Sequence, residues 1–319
     1  MALCKYPIFL KQVGGIIGCG RCFTCRLNKA RKLTFRIMME AALHEKTLWT
    51  TLTYNDDYLP KLYVNSDTGQ VFESESSTFS TLRPDDLSLF IKRVRKALPP
   101  RSFRFLAAGE YGESTLRPHY HLCVFGHGEE ILPLLQRHWS CPVTKAPYGL
   151  VDRVHHGPIT KQNARYTAKY TIKKLTQSGD PRLEGRYPEF QSSSKGIGLE
   201  FAKRFADALD NESGRHHILA TGDIPRRVRF DGQWWPLDRY LREKILDHLG
   251  IKEEALAIGR QKFKKQMQAL SIRAELNPKF KASASISPYI FEKQYTQENA
   301  QRVLNTEKRV KLRERGTTL

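Results

Sequence analysis

Apolar and polar positions repeat along the chain with two periods, and the changes from one period to the other mark its elements. Leu48–Tyr54 alternates apolar residues with threonines and predicts a strand with Thr51 and Thr53 on one face, ended by Asp56, Asp57 and Pro60. Lys61–Glu73 reads as a hairpin turning at Asp67-Thr68-Gly69. From Pro84 the period lengthens, with Leu87, Phe90, Ile91, Val94 and Leu98 forming the apolar stripe of a helix that opens on proline. The apolar run Phe103–Ala108, leading to Glu110, and the segment His119–Phe125, closed by Gly126, predict two further strands. A helix from about Glu129 to Trp139, a short strand at Gly149–Val154, a helix capped by Thr160, and a helix over Leu199–Leu209 follow. Beyond Ile251 the pattern is helical and basic, with Lys308–Arg315 reading as a frayed end. Strands interleaved with helices predict an α+β sandwich: a central, largely antiparallel sheet flanked by helices, plus a helical C-terminal extension.

On the strand His119–Phe125 side chains alternate faces, so His119 and His121 point one way and Tyr120 the other. If the Glu110 run pairs beside it, one carboxylate and two imidazoles converge in a set that holds a cation with coordination positions open. The helix after Thr160 carries Tyr166, Lys169, Tyr170 and Lys173 at i, i+3, i+4 and i+7, which is one helical face. Two lysines in that stripe argue against ordinary core.

Charge narrows the partners. The 319 residues carry a formal net charge of +20, with a pI near 9.8, and point to a polyanion, nucleic acid before a membrane surface. No apolar run approaches the roughly 20 residues of a spanning helix, and the first residues lack a signal-peptide core, so a cytosolic protein is expected. Residues 1–46 hold nine Lys/Arg against two Asp/Glu. Cys19, Cys22 and Cys25 form a C-x2-C-x2-C run, and Cys4 offers a fourth thiolate. Structural zinc, an iron–sulfur cluster and free thiols are the readings of that cluster. The organisation is then a Cys-rich segment and basic helix (1–46), a central domain (47–210), and a basic, mostly helical region (211–319). Ser192-Ser193-Ser194-Lys195-Gly196-Ile197-Gly198 reads as a loop able to present amides to phosphate. Arg226-Arg227-Val228-Arg229-Phe230 before Trp234-Trp235 reads either as a single-strand stacking surface or as an edge strand with a tryptophan plug.

Thr51-Leu52-Thr53-Tyr54, Arg117-Pro118-His119-Tyr120-His121 and Tyr166-x-x-Lys169-Tyr170-x-x-Lys173 together resemble the three motifs of rolling-circle replication initiators, the HUH endonucleases. The resemblance is nearest to the replication initiation proteins of microviruses, the gokushovirus group, and covers most of residues 1–205. It implies an HUH endonuclease-like fold and a metal-dependent nicking and joining activity on single-stranded DNA at a replication origin. It also implies Mg2+ or Mn2+ on Glu110, His119 and His121, a phosphotyrosine on Tyr166 or Tyr170, and assistance from Lys169 and Lys173. A host polymerase and helicase would be partners, in the cytoplasm of an infected bacterium. Two other classes fit parts of the pattern: a zinc-containing DNA-binding protein without chemistry, and an iron enzyme built on two histidines and a carboxylate.

Overall fold

Strand pairing in the computed structural model puts both candidate histidines on an inner strand of a four-stranded sheet. The structure describes residues 4–10, 15–64, 71–73, 79–100, 102–152, 155–170, 183–275 and 299–311. In chain order the elements are β1 (Ile8–Leu10), β2 (Gly15–Ile17), α1 (Phe23–Ala41), β3 (Thr47–Thr53), β4 (Lys61–Val64), β5 (Val71–Glu73) and β6 (Phe79–Ser80). Then come α2 (Pro84–Ala97), β7 (Arg104–Tyr111), β8 (Pro118–Phe125), α3 (Leu132–His138), α4 (Lys161–Tyr170) and β9 (Phe190–Ser193). The last are α5 (Leu199–Leu209), α6 (Glu212–Thr221), β10 (Arg227–Phe230), β11 (Gln233–Pro236), α7 (Arg239–His248) and α8 (Lys252–Glu275). The chain divides into two compact units, Leu33–Phe201 and one assembled from Met1–Lys32 with Ala202–Leu319.

The central unit is an α+β sandwich. Its main sheet runs β3-β8-β7-β9, with every neighbour antiparallel. Register decides which residues meet: Thr51 and Ala108 flank His121, while Thr53 and Glu110 flank His119. Residues opposite one another share a face, so the motif residues fall on one side. The other side carries Leu48, Leu52, Tyr120, Leu122 and Val124 into a core completed by Leu87, Phe90, Ile91 and Val94 of α2 and Leu135 of α3. The helical stripe read from the sequence is thus the buried stripe of α2, with Asp86 added to it.

Asp86 is buried because its carboxylate accepts from the Tyr54 and Tyr148 hydroxyls at 2.8 and 3.0 Å. Tyr120 joins that network 3.1 Å from the Tyr54 oxygen and donates to the Arg83 carbonyl. The alternation that points Tyr120 away from the histidines therefore builds a satisfied polar knot in the core. Gly109 also faces the core: a Cβ there would lie 2.7 Å from the Phe190 ring. The sheet depends on glycine at that point.

Three readings differ from the structure. Gly149–Val154 is not a regular strand; its described part crosses the edge of β3 through bridges such as the Thr53 amide to the Leu150 carbonyl at 2.9 Å. Gly149 approaches β3 so closely that a Cβ would lie 2.2 Å from the Thr53 carbonyl oxygen, which forces a crossing contact. The loop at Lys195–Gly198 presents no free cradle. Gly198 gives its amide to Glu40 at 2.7 Å, and the Gly196 and Ile197 carbonyls accept from Arg104 and Arg36. The basic end is helical over 299–311, residues 312–319 lying outside the described ones.

Glu40 gives a pH prediction. Burial opposes its ionisation, but hydrogen bonds from Arg104 and Gly198, the Arg104 charge and His44 outweigh it, holding the carboxyl below its ordinary 4.5. A carboxylate whose folded value is depressed contributes stability that is present above the unfolded value and lost as pH falls through the folded one. Asp86 acts in the opposite sense, because burial, partly offset by Tyr54 and Tyr148, raises its carboxyl. Glu40→Gln is expected to cost roughly 3 kcal/mol at neutral pH, since it strands Arg104. Denaturant titrations below pH 4.5 are expected to show the variant's deficit shrinking.

The second unit contains the hairpins β1–β2 and β10–β11 and the helices α6, α7 and α8. Asn211 caps α6 by accepting the Gly214 amide, and Asp238 caps α7 by accepting that of Leu241, each at 2.8 Å. Both readings of the arginine–tryptophan segment apply. Trp235 is buried, its ring N–H donating to the Phe230 carbonyl, whereas Trp234 is 59% exposed and pairs across the hairpin with Arg229. Among the described residues no helix is long and apolar enough to cross a membrane.

Candidate metal and nucleophile site

Glu110 Oε1 lies 2.7 Å from His119 Nε2 and 2.8 Å from His121 Nε2. One potential ligand atom from each residue falls within 4.8 Å of the others. Pleat and register achieve this without a special loop: positions 119 and 121 share a face, and 110 is the direct neighbour of 119. Glu110 and His121 are buried, and His119 is half-buried toward the sheet end. Burial works against ionisation of Glu110, but hydrogen bonds from the two histidines and their charges outweigh it and hold its carboxyl below the usual range. At neutral pH the carboxylate is negative.

The distal ring nitrogens define the donor set. His119 Nδ1 lies 3.2 Å from the Arg117 carbonyl, which only accepts, so that nitrogen carries hydrogen. His121 Nδ1 lies 3.0 Å from Thr51 Oγ1, a partner that accepts an N–H equally well. In neutral rings with Nδ1–H, both Nε2 lone pairs aim at the Glu110 oxygen, and three acceptors at such spacing are compatible with a shared cation. The residues present therefore fit a divalent ion with one carboxylate and two imidazole ligands. Arg117 is itself fixed, donating to Asp56 at 2.6 Å and to the Tyr54 carbonyl at 2.7 Å.

Outer partners of metal-bound histidines typically carry 10–100-fold in affinity. Thr51→Val keeps shape and removes the acceptor for His121. It is expected to raise the Mn2+ concentration for half-maximal binding by about 10-fold or more, as read by titration calorimetry.

Helix α4 lies against this face. Thr160 and Asn163 cap it reciprocally, the Thr160 amide donating to Asn163 Oδ1 at 2.7 Å and the Asn163 amide to Thr160 Oγ1 at 3.3 Å. Its buried stripe is Ala164, Thr167 and Ala168, and the Trp49 ring N–H donates to Thr167 Oγ1 at 2.9 Å. Small residues let the helix sit close to the sheet. Tyr166, 41% exposed, meets the His121 ring edge-on at 4.9 Å between centroids. Trp49 stacks on the same His121 ring at 5.3 Å. The structure thus brings Glu110, His119, His121 and Tyr166 together. Lys169 is exposed on the same helix. Tyr170 is the last residue of α4, its side chain outside the described set, and Lys173 lies outside the described residues.

Trp49 and Thr167 are the contributors that motif reading missed. Trp49 stands two residues before Thr51 on the same strand face, and that was the available signal. Cys4, Cys19, Cys22 and Cys25 gather in the other unit, all four sulfurs within 4.8 Å of one another.

The fold and site define an α+β protein whose antiparallel sheet bears a converging two-histidine, one-carboxylate set under a tyrosine helix. The family described as Replication-associated protein ORF2 matches residues 47–178, the stretch that builds this arrangement. The chain is 32% identical over 268 residues to Replication-associated protein ORF2 of Spiroplasma virus 4, covering 77% of this chain and 75% of that one. It is 26% identical over 232 residues to Replication-associated protein VP4 of Bdellovibrio phage phiMH2K, covering 68% and 66%. It is 25% identical over 206 residues to Replication-associated protein ORF4 of Chlamydia phage 1, covering 60% and 47%. The chain belongs to this family of phage replication-associated proteins. No solved structure matches it.

Proposed function

We propose that the chain starts rolling-circle replication as a site-specific, metal-dependent endonuclease and ligase of single-stranded DNA. The observation that carries this reading is the convergence of Glu110, His119 and His121 beside the Tyr166 ring. Held by those three side chains, Mg2+ or Mn2+ supplies Lewis-acid polarisation of a nonbridging phosphate oxygen.

The chain's own residues carry out the transfer. The phenol oxygen of Tyr166 or Tyr170 bonds to phosphorus as the bond from phosphorus to the 3′ oxygen breaks. The phenol proton leaves to solvent, and the departing 3′ oxygen takes one up. An ordinary tyrosine titrates near ~10, so a nearby cation eases the step. Lys169 and Lys173, each three residues after a tyrosine, are assigned to the developing phenolate and to the charge on phosphorus. The phosphotyrosine conserves the phosphodiester energy, so attack by a 3′-hydroxyl rejoins the strand without a nucleotide cofactor. The free 3′-hydroxyl is the primer for a host polymerase, with a host helicase separating the strands, in the cytoplasm of the infected bacterium. The net charge of +20 provides sequence-independent grip on the phosphate backbone.

The test uses the full chain and single-stranded origin DNA of its phage. With Mn2+, one nick is expected at one position, leaving a 3′ end that a polymerase extends; chelation stops it and added Mn2+ restores it. Binding without cleavage at any divalent metal would leave a DNA-binding protein and remove the enzyme reading.

A further inference from the structure

The cysteine cluster lies outside the proposed nicking site and in the other unit, so what it does is independent of that reading. Cys4 and Cys22 are buried and Cys19 and Cys25 half-buried, and all four are free thiols. The Cys4 and Cys22 sulfurs stand 3.8 Å apart, far beyond the roughly 2.05 Å of a disulfide. Four thiolates around one zinc at about 2.3 Å stand about 3.8 Å apart along the edges of the tetrahedron. A four-iron cluster instead places its cysteines on separate irons and so spreads them further.

The backbone around the sulfurs is arranged for thiolate. The Cys19 amide donates to Cys4 Sγ and the Cys22 amide to Cys19 Sγ, each at 3.3 Å, and the Lys5 amide points to Cys22 Sγ at 3.5 Å. Three N–H groups aimed at sulfur hold the ligands in place and disperse their charge. Gly20, between Cys19 and Cys22, has φ +74°, the left-handed conformation that a tight turn between two ligands needs. At Gly18 a Cβ would stand 3.0 Å from Cys25 Sγ, so glycine there makes room for the sulfur. Free thiols have no use for converging amides and two glycines placed in this way.

We infer that Cys4, Cys19, Cys22 and Cys25 form a closed, four-thiolate structural zinc site. Binding releases the thiol protons and leaves no open position, so the ion does no chemistry. It ties the β1 hairpin's entry and exit to the start of α1, joining Cys4 to a ligand run that opens fifteen residues later. A short segment with only the two three-residue strands β1 and β2 before α1 has little core of its own, and a metal supplies the missing free energy.

The test is elemental analysis of the full chain purified without added metal and passed through a mild chelator that strips the Mg2+ or Mn2+. About one zinc per chain is expected, falling to background in Cys22→Ser and Cys25→Ser and unchanged in Cys141→Ser. Because a ligand variant can fail to fold, the wild-type protein is also exchanged into Co2+. The strong visible bands of tetrahedral cobalt with sulfur-to-metal charge transfer are expected. Zinc-free wild-type protein that takes up no Co2+, iron in place of zinc, or zinc retained in both ligand variants would overturn the assignment.

Discussion

His121→Ala is expected to abolish strand cleavage, lowering the rate by more than about 10³-fold, beyond the 10–100-fold typical of losing an outer-shell partner. The change removes one of three converging ligand atoms and deprives the buried Glu110 oxygen of its neighbour at 2.8 Å. It also removes the ring between Trp49 and Tyr166, so the nucleophile helix loses a contact at the same time. His119→Ala separates the two effects. Its ring meets Glu110 at 2.7 Å but is not part of the Trp49–Tyr166 stack. Loss of cleavage in both variants, with single-stranded DNA binding retained through the basic charge, is the expected pattern. Full activity of His119→Ala at modest Mn2+ would remove the ligand assignment.

Tyr166→Phe and Tyr170→Phe are each expected to leave some covalent adduct while failing to sustain production of unit-length circles, and the double variant to form none. Rolling-circle synthesis needs a second cleavage while the first 5′ end is still attached, so one tyrosine would have to be released first. The two positions are one helical turn apart, roughly 6 Å along the axis, and a small shift exchanges them at one phosphate. Tyr166 already lies against His121, which makes it the first nucleophile in this scheme. Gel analysis of adduct and circle yields decides the point. Complete loss of adduct in one single variant would end the alternating scheme.

The sheet and α2 were legible because period and composition agreed. His119–Phe125 alternates and is aromatic, and the α2 stripe from Leu87 to Val94 is buried as its spacing implies. β9 was not legible. Its serines are poor strand formers, and it exists because β7 offers a free edge, pairing Leu106 with Ser193 and Gly109 with Phe190. The tyrosine helix was legible in part. Tyr166 and Lys169 do face outward, but the surface that docks the helix is the small stripe Ala164, Thr167 and Ala168. The Trp49–Thr167 bond that seats it joins residues 118 positions apart, a distance across which no local pattern carries information. The same holds for Glu40, whose place on a helix gives no hint that it closes the Gly198 amide.

The most direct test of the central claim is to identify the residue that carries DNA. Full-length protein is incubated with an origin oligonucleotide and Mn2+, denatured and digested, and the DNA-linked peptide is sequenced by mass spectrometry. The account predicts a 5′-phosphate ester on Tyr166 or Tyr170 within the segment that contains α4, absent when metal is chelated. Linkage to any other residue, or cleavage with no covalent intermediate, would contradict it.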